Sequence, residues 1–100
     1  MNSFDKVYKL VSIIPKGKVA TYKQISDITG LSPRVVGFAL HANKNPETVP
    51  CHRVVNIKGE LAKGYAFGGE KAQRRKLENE RVAFLNDTVD LSKYQHQFAN

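Results

Sequence analysis

The chain has 100 residues, and 16 Lys and Arg against nine Asp and Glu give a formal charge of +7 at pH 7 and an isoelectric point of about 9.7. With 41% apolar residues it can bury one core, so a single domain over 1–100 is expected, with no room for a second catalytic domain. One cysteine excludes an internal disulfide and cannot by itself assemble a zinc site; no apolar run nears the ~20 residues of a membrane span, and no signal peptide opens the chain, so a cytoplasmic location is expected.

From Ser3, read as an N-cap, the apolar positions Phe4, Val7, Tyr8, Val11 and Ile14 recur at helical spacing until Pro15-Lys16-Gly17 ends the pattern. Thr21 followed by Gln24 matches a capping box, with Ile25 and Ile28 as a buried stripe and Gly30 at the C-terminal glycine position. Ser32-Pro33 reads as N-cap and N1 of a third helix reaching about Ala42, with Val36, Ala39 and Leu40 turned inward. Two short helices joined by a tight glycine turn form a helix-turn-helix signature, whose second helix normally approaches DNA. On that helix Arg34, Phe38 and His41 share one face, a stripe better matched to a ligand than to packing, although an ordinary helical hairpin with a solvated Arg has the same spacing.

Asn43-Lys44-Asn45-Pro46 and Pro50 predict an irregular loop, and 53–56 with 58–61 a hairpin. A loop over 63–69, a helix from Glu70 to about Arg81 and a strand at 82–85 follow. From Asn86 onward the sequence specifies little. The fold expected is α+β, a mainly helical, winged helix-turn-helix-like domain with a small strand region.

The net charge favours a polyanionic partner, nucleic acid first, because each cation that meets a phosphate releases a counterion; a merely soluble basic surface is the alternative. Chemistry concentrates in Pro50-Cys51-His52-Arg53-Val54. Thiolate is the nucleophilic form of cysteine, and a close His52 or Arg53 would lower the thiol pKa from about 8.5. Spacing alone leaves Cys51 open as either a reactive thiol or an inert buried residue.

The Pro-Cys-His-Arg-Val string resembles the active-site signature of the O6-alkylguanine-DNA alkyltransferase family, and the resemblance runs from the first helix to about Val82. Asn43, eight residues before the cysteine, resembles the family's hinge asparagine. Thr21-Tyr22 resembles its helix-turn-helix tyrosine, Arg34 its arginine finger, Gly64-Tyr65 and Gly68-Gly69 its binding loop, and Glu80 its glutamate near a helix end. Taken singly, Tyr65 reads equally as a core aromatic, Asn43 as a turn residue and Glu80 as a surface charge; their joint order carries the resemblance.

The resemblance implies self-alkylation: irreversible transfer of an alkyl group from O6-alkylguanine in double-stranded DNA to Cys51, without cofactor or metal. A monomer is the default expectation, with the oligomeric state left open by the sequence. Glu80 would act through His52 as base, by way of a water, Tyr22 would donate to the leaving oxygen, and Asn43 would complete the catalytic set. Arg34, Gly37, Phe38, His41 and Arg53 would contact DNA, with minor-groove docking. Tyr22, Val54, Tyr65, Gly68 and Gly69 would line the lesion pocket. The alternative is an alkyltransferase-like protein that binds the lesion and flags it for nucleotide-excision repair proteins. A plain helix-turn-helix binder would leave the Pro-Cys-His-Arg string idle. Phe67, an extra residue before the glycine pair, and Arg81, where the family frequently has glycine, depart from the pattern.

Overall fold

The computed structural model describes residues 3–99. In chain order it holds α1 (Ser3–Ser12), β1 (Ala20–Thr21), α2 (Tyr22–Thr29), α3 (Pro33–His41), a single 3-10 turn (Cys51–Arg53), β2 (Val54–Val55), α4 (Gly69–Asn79), β3 (Phe84–Leu85), β4 (Thr88–Val89) and α5 (Leu91–Tyr94). The α+β class is as expected.

The first three helices follow their local signals. Val7, Val11 and Ile14 are buried to within 1% exposure. Because α1 begins at Ser3 itself, the cap position falls at residue 2, outside the described residues. The Thr21 hydroxyl accepts from the Gln24 amide at 3.1 Å and Gln24 Oε1 accepts from the Thr21 amide at 2.9 Å, a reciprocal cap that satisfies two otherwise free donors. Gly30 ends α2 in the left-handed region, φ 78°, and Ser32 with Pro33 opens α3. Val36, Ala39 and Leu40 face inward as expected. Ile28 does not: three residues past the buried Ile25 it has turned about 300° round the helix, and it is 54% exposed.

The predicted hairpin over 53–61 does not form. Val54 and Val55 are fully buried, and a strand buried on both faces must find its partner inside the fold. They pair in parallel with Ala20 and Thr21 of β1, while Asn56 to Glu60 closes into a turn whose Glu60 bridges to Thr88. Side chains alternate across this strand pair. Ala20 and Val54 enter one apolar cluster with Val7, Val11, Ile25, Val36 and Cys51, whereas Val19 and Val55 enter another with Leu77, Val82 and Val89. The β1–β2 pair thus sits between two cores and anchors the turn that carries Cys51.

Beyond Asn86, where the sequence specifies little, the chain forms β4 and α5. Asn86, φ 59°, starts the two-residue turn joining β3 to β4, a conformation asparagine tolerates. Beyond α5 the chain lies along Val19, with Val19 N donating to Tyr94 O at 2.9 Å and His96 N to Val19 O at 2.7 Å. Gln24, already the partner in the α2 cap, donates its amide to His96 O at 2.7 Å. Helix α4 stops at Asn79, two residues short of Arg81, which itself takes a left-handed φ of 70°. A glycine would hold that conformation without the Cβ penalty.

Candidate active site

The turn Cys51–Arg53 starts from buried Pro50 and feeds into β2. It is supported from the preceding loop by Asn43, which is 5% exposed. Asn43 Nδ2 donates to Val49 O at 2.8 Å and its Oδ1 accepts from Asn45 N at 3.0 Å. From α4, Gln73 is fully buried. Its amide donates to His52 O at 3.1 Å and Val54 O at 3.0 Å, and its Oε1 accepts from Ala62 N at 2.9 Å. One buried amide therefore ties the Cys51 turn to the loop after it.

Cys51, 4% exposed, reaches the wall of a cavity of about 470 Å³ shared with Tyr22, Gly37, Phe38, His41 and Tyr65. That volume falls in the range of small-molecule sites, about 300–1,000 Å³. Behind the thiol, His52 Nε2 lies 2.9 Å from Glu80 Oε2. A carboxylate only accepts, so Nε2 carries the proton and Nδ1 is left as the acceptor. Nδ1 is buried with no partner among the described residues.

Burial lowers the His52 pKa, against the opposing hydrogen bond and charge of Glu80, so the imidazole is neutral near pH 7. Burial pushes the Glu80 carboxyl up, but the hydrogen bonds and charges of Arg53 and His52 outweigh it and hold the group below its ordinary value. Burial raises the Cys51 thiol, opposed by the Asn43 side chain and the Lys76 charge. His52 and Arg53, expected to lower the thiol, are not what offsets its burial. Tyr22 is likewise raised, first by burial and then by Cys51, and so keeps its proton to donate.

Arg53 is corrected from a DNA contact to a buried structural residue. It is 9% exposed, and its guanidinium donates to both Glu80 oxygens at 2.9 and 2.7 Å and to Ile14 O at 2.7 Å. Its charge is spent inside the fold. Val54 is also corrected: it is a core strand residue with no face on the cavity. Gly68 and Gly69 lie outside the cavity wall and shape the entry to α4 through φ values of 117° and 76°. Arg34, Phe38 and His41 do share the exposed face of α3, with the Arg34 guanidinium 5.6 Å from the Phe38 ring centre.

Sequence reasoning missed Gln73 and Lys76. Gln73 stands four residues before buried Leu77, on the inward stripe of α4, so a polar residue in an apolar register was its signal. Lys76 had none: it donates to the Tyr65 hydroxyl at 2.7 Å.

The family model for the 6-O-methylguanine DNA methyltransferase DNA-binding domain matches residues 2–82. The chain belongs to that family. The methylated-DNA–protein-cysteine methyltransferase of Saccharolobus solfataricus is 50% identical over 76 residues, 76% of this chain and 48% of that protein. The chain thus spans about half the length of the methyltransferase relatives it matches. Alkyltransferase-like protein 1 of Schizosaccharomyces pombe is 43% identical over 89 residues, 86% of this chain and 82% of that protein. Among solved structures, S. pombe Atl1 in complex with damaged DNA containing O6-carboxymethylguanine superposes with a TM-score of 0.83 at 33% identity, over 95% of this chain and 94% of that one. The O6-methylguanine-DNA methyltransferase of Pyrococcus kodakaraensis gives a TM-score of 0.72 at 35% identity, over 82% of this chain and 47% of that one. Family membership agrees with the resemblance read from the Pro-Cys-His-Arg string, and the relatives include both named types.

Proposed function

We propose that this chain takes an alkyl group from O6 of guanine in double-stranded DNA and keeps it as a thioether on Cys51. The observation that carries the reading is a sole cysteine at the wall of a cavity of about 470 Å³, beside a His52 hydrogen-bonded to Glu80. In the step, the Cys51 sulfur bonds to the alkyl carbon as the carbon–O6 bond breaks, and that bonding pair passes to the purine. The thiol proton goes to His52 Nδ1 through one water, and the Tyr22 hydroxyl supplies a proton to the leaving base. Nothing in this set hydrolyses a thioether, so each molecule acts once.

Guanine O6 lies inside the duplex, so the base must leave the stack, at a cost of a few kcal/mol. Arg34, on the exposed face of α3 with Phe38 and His41, would fill the gap, and Gly37 would let the helix backbone approach the minor groove. Incubation with a duplex holding one O6-methylguanine should add one methyl to the intact mass, mapped to Cys51 by fragmentation and absent in Cys51→Ser.

A second reading is favoured by the fit to Atl1 along nearly the whole chain: a protein that binds the lesion without repairing it and marks it for excision. Selective retention of the lesion duplex with an unchanged protein mass would establish that reading and sink alkyl transfer. Equal binding to damaged and undamaged duplex, with steep salt dependence, would reduce the protein to a phosphate-driven binder.

A further inference from the structure

The loop that closes the cavity opposite α3 is pinned at three points. Ala62 N donates to Gln73 Oε1 at 2.9 Å, the Gly64 carbonyl lies 3.2 Å from His41 Nδ1, and the Tyr65 hydroxyl accepts from Lys76 Nζ at 2.7 Å. Only the third pin is a lysine ammonium. Lys76 Nζ stands 5.1 Å from the Tyr65 ring centre and 5.5 Å from that of Phe67, while the two rings meet edge to face at 5.8 Å. With Nζ so close to the hydroxyl, its distance from the Tyr65 ring centre puts it beyond the ring edge, so this contact is a hydrogen bond made end-on. Phe67, the extra residue of the loop, completes the aromatic pair.

We propose that Lys76 is the positioning cation of this site: tied to the Tyr65 hydroxyl beside Phe67, it holds the loop wall in place and presents its positive charge to the Cys51 sulfur. The inference rests on Cys51 being the acceptor thiol. The chain neighbours cannot fill this role, because Arg53 spends its charge on Glu80 and His52 is bonded to the same carboxylate. Among the described residues no ion pair includes Lys76, so its charge is not cancelled locally. Burial disfavours the Cys51 thiolate, and Lys76 is the one cationic side chain that works against it. Lys76 reaches the site through Tyr65, which shares the cavity wall with Cys51, and a charge held against a partly buried site is screened less than one in bulk water.

The test is the rate of Cys51 alkylation by iodoacetamide against pH, without DNA, in the wild type and in Lys76→Met, Lys76→Arg and Tyr65→Phe. Lys76→Met is expected to raise the midpoint by about one pH unit, slowing reaction at neutral pH about tenfold. Lys76→Arg keeps the charge and should stay near wild type; Tyr65→Phe frees the ammonium and should move the midpoint the same way by less. Transfer from an O6-methylguanine duplex should shift in parallel. A Lys76→Met protein with wild-type circular dichroism and an unmoved midpoint overturns the proposal; if that variant does not fold, an unmoved midpoint in Tyr65→Phe overturns it. Should the wild type take no methyl from DNA, the alkyl-transfer reading fails, and the iodoacetamide profile still decides the role of Lys76.

Discussion

The segment from Thr21 to Ala42 and the segment from Val54 to His96 are built by different rules. In the first, three of the four ends of α2 and α3 are set by residues within four positions: Thr21 with Gln24, Gly30, and Ser32 with Pro33. In the second, strands of two residues and a four-residue helix are too short to stand alone and are held by distant partners. Val54–Val55 lies on Ala20–Thr21, Glu60 on Thr88, and Gln95 on Val19. The Cys51–His52–Glu80 cluster belongs to the second kind, since Glu80 reaches back 28 residues to His52. Helix α3 can therefore form from local signals, while the thiol site exists only once the distant segments have closed on it.

The strongest way to break that contrast is Glu80→Ala. It would strand the Arg53 guanidinium, whose side chain is 11% exposed, without its carboxylate. Loss of one partner of a buried pair costs about 3–5 kcal/mol. Urea unfolding should show a loss of at least about 3 kcal/mol, and Glu80→Gln, which keeps an acceptor for Arg53, should lose less. A change within 0.5 kcal/mol, of order for an ordinary surface site, would mean that the Glu80 cluster is peripheral.

Two glycines sharpen the comparison. Gly30 and Gly59 hold nearly the same φ, 78° and 80°, but a Cβ at Gly30 meets nothing within 4 Å while one at Gly59 would lie 2.2 Å from Val89 O. Gly30→Ala should cost about 1 kcal/mol, the backbone penalty alone. Gly59→Ala adds displacement of the 56–60 turn from β4 and should cost about 3 kcal/mol. Equal losses for the two would show that the long-range contact contributes nothing to stability.

The same division explains what could be read from the residues. The caps of α2 and α3, the glycine stop and the inward faces of α1 and α3 are short-range codes, and they were legible. So were Cys51, His52, Glu80 and Tyr22 as one group, through the order of motifs rather than through any spacing that proves contact. Arg53 was misread because nothing local distinguishes an exposed arginine from one folded onto Glu80 and the Ile14 carbonyl. The hairpin at 53–61 failed because β2 prefers a buried parallel partner more than thirty residues upstream. Lys76 left no trace, since a lysine on a helix is ordinarily solvated and its partner, Tyr65, is eleven residues away.

Acid titration separates the two segments with the smallest effect. His52 and Glu80 both have pKa values below their ordinary 6.5 and 4.5. A group depressed by folding adds stability above its unfolded pKa and loses it as pH falls toward the folded value. The urea midpoint should therefore be flat from pH 8 to 7, begin to fall below about 6.5 as the unfolded state gains a proton on His52, and fall again below about 4.5 with Glu80. His52→Gln should flatten the first step and leave the second. Alkyl transfer should run the other way along the same axis: the Cys51 thiol is raised, first by burial, so thiolate grows with alkaline pH. Above the unfolded thiol pKa of about 8.5 the fold begins to lose stability, as the unfolded chain ionises first. A midpoint that rises between pH 7 and 5.5 would show that His52 is charged in the folded protein, and the imidazole could not then be the group that takes the thiol proton.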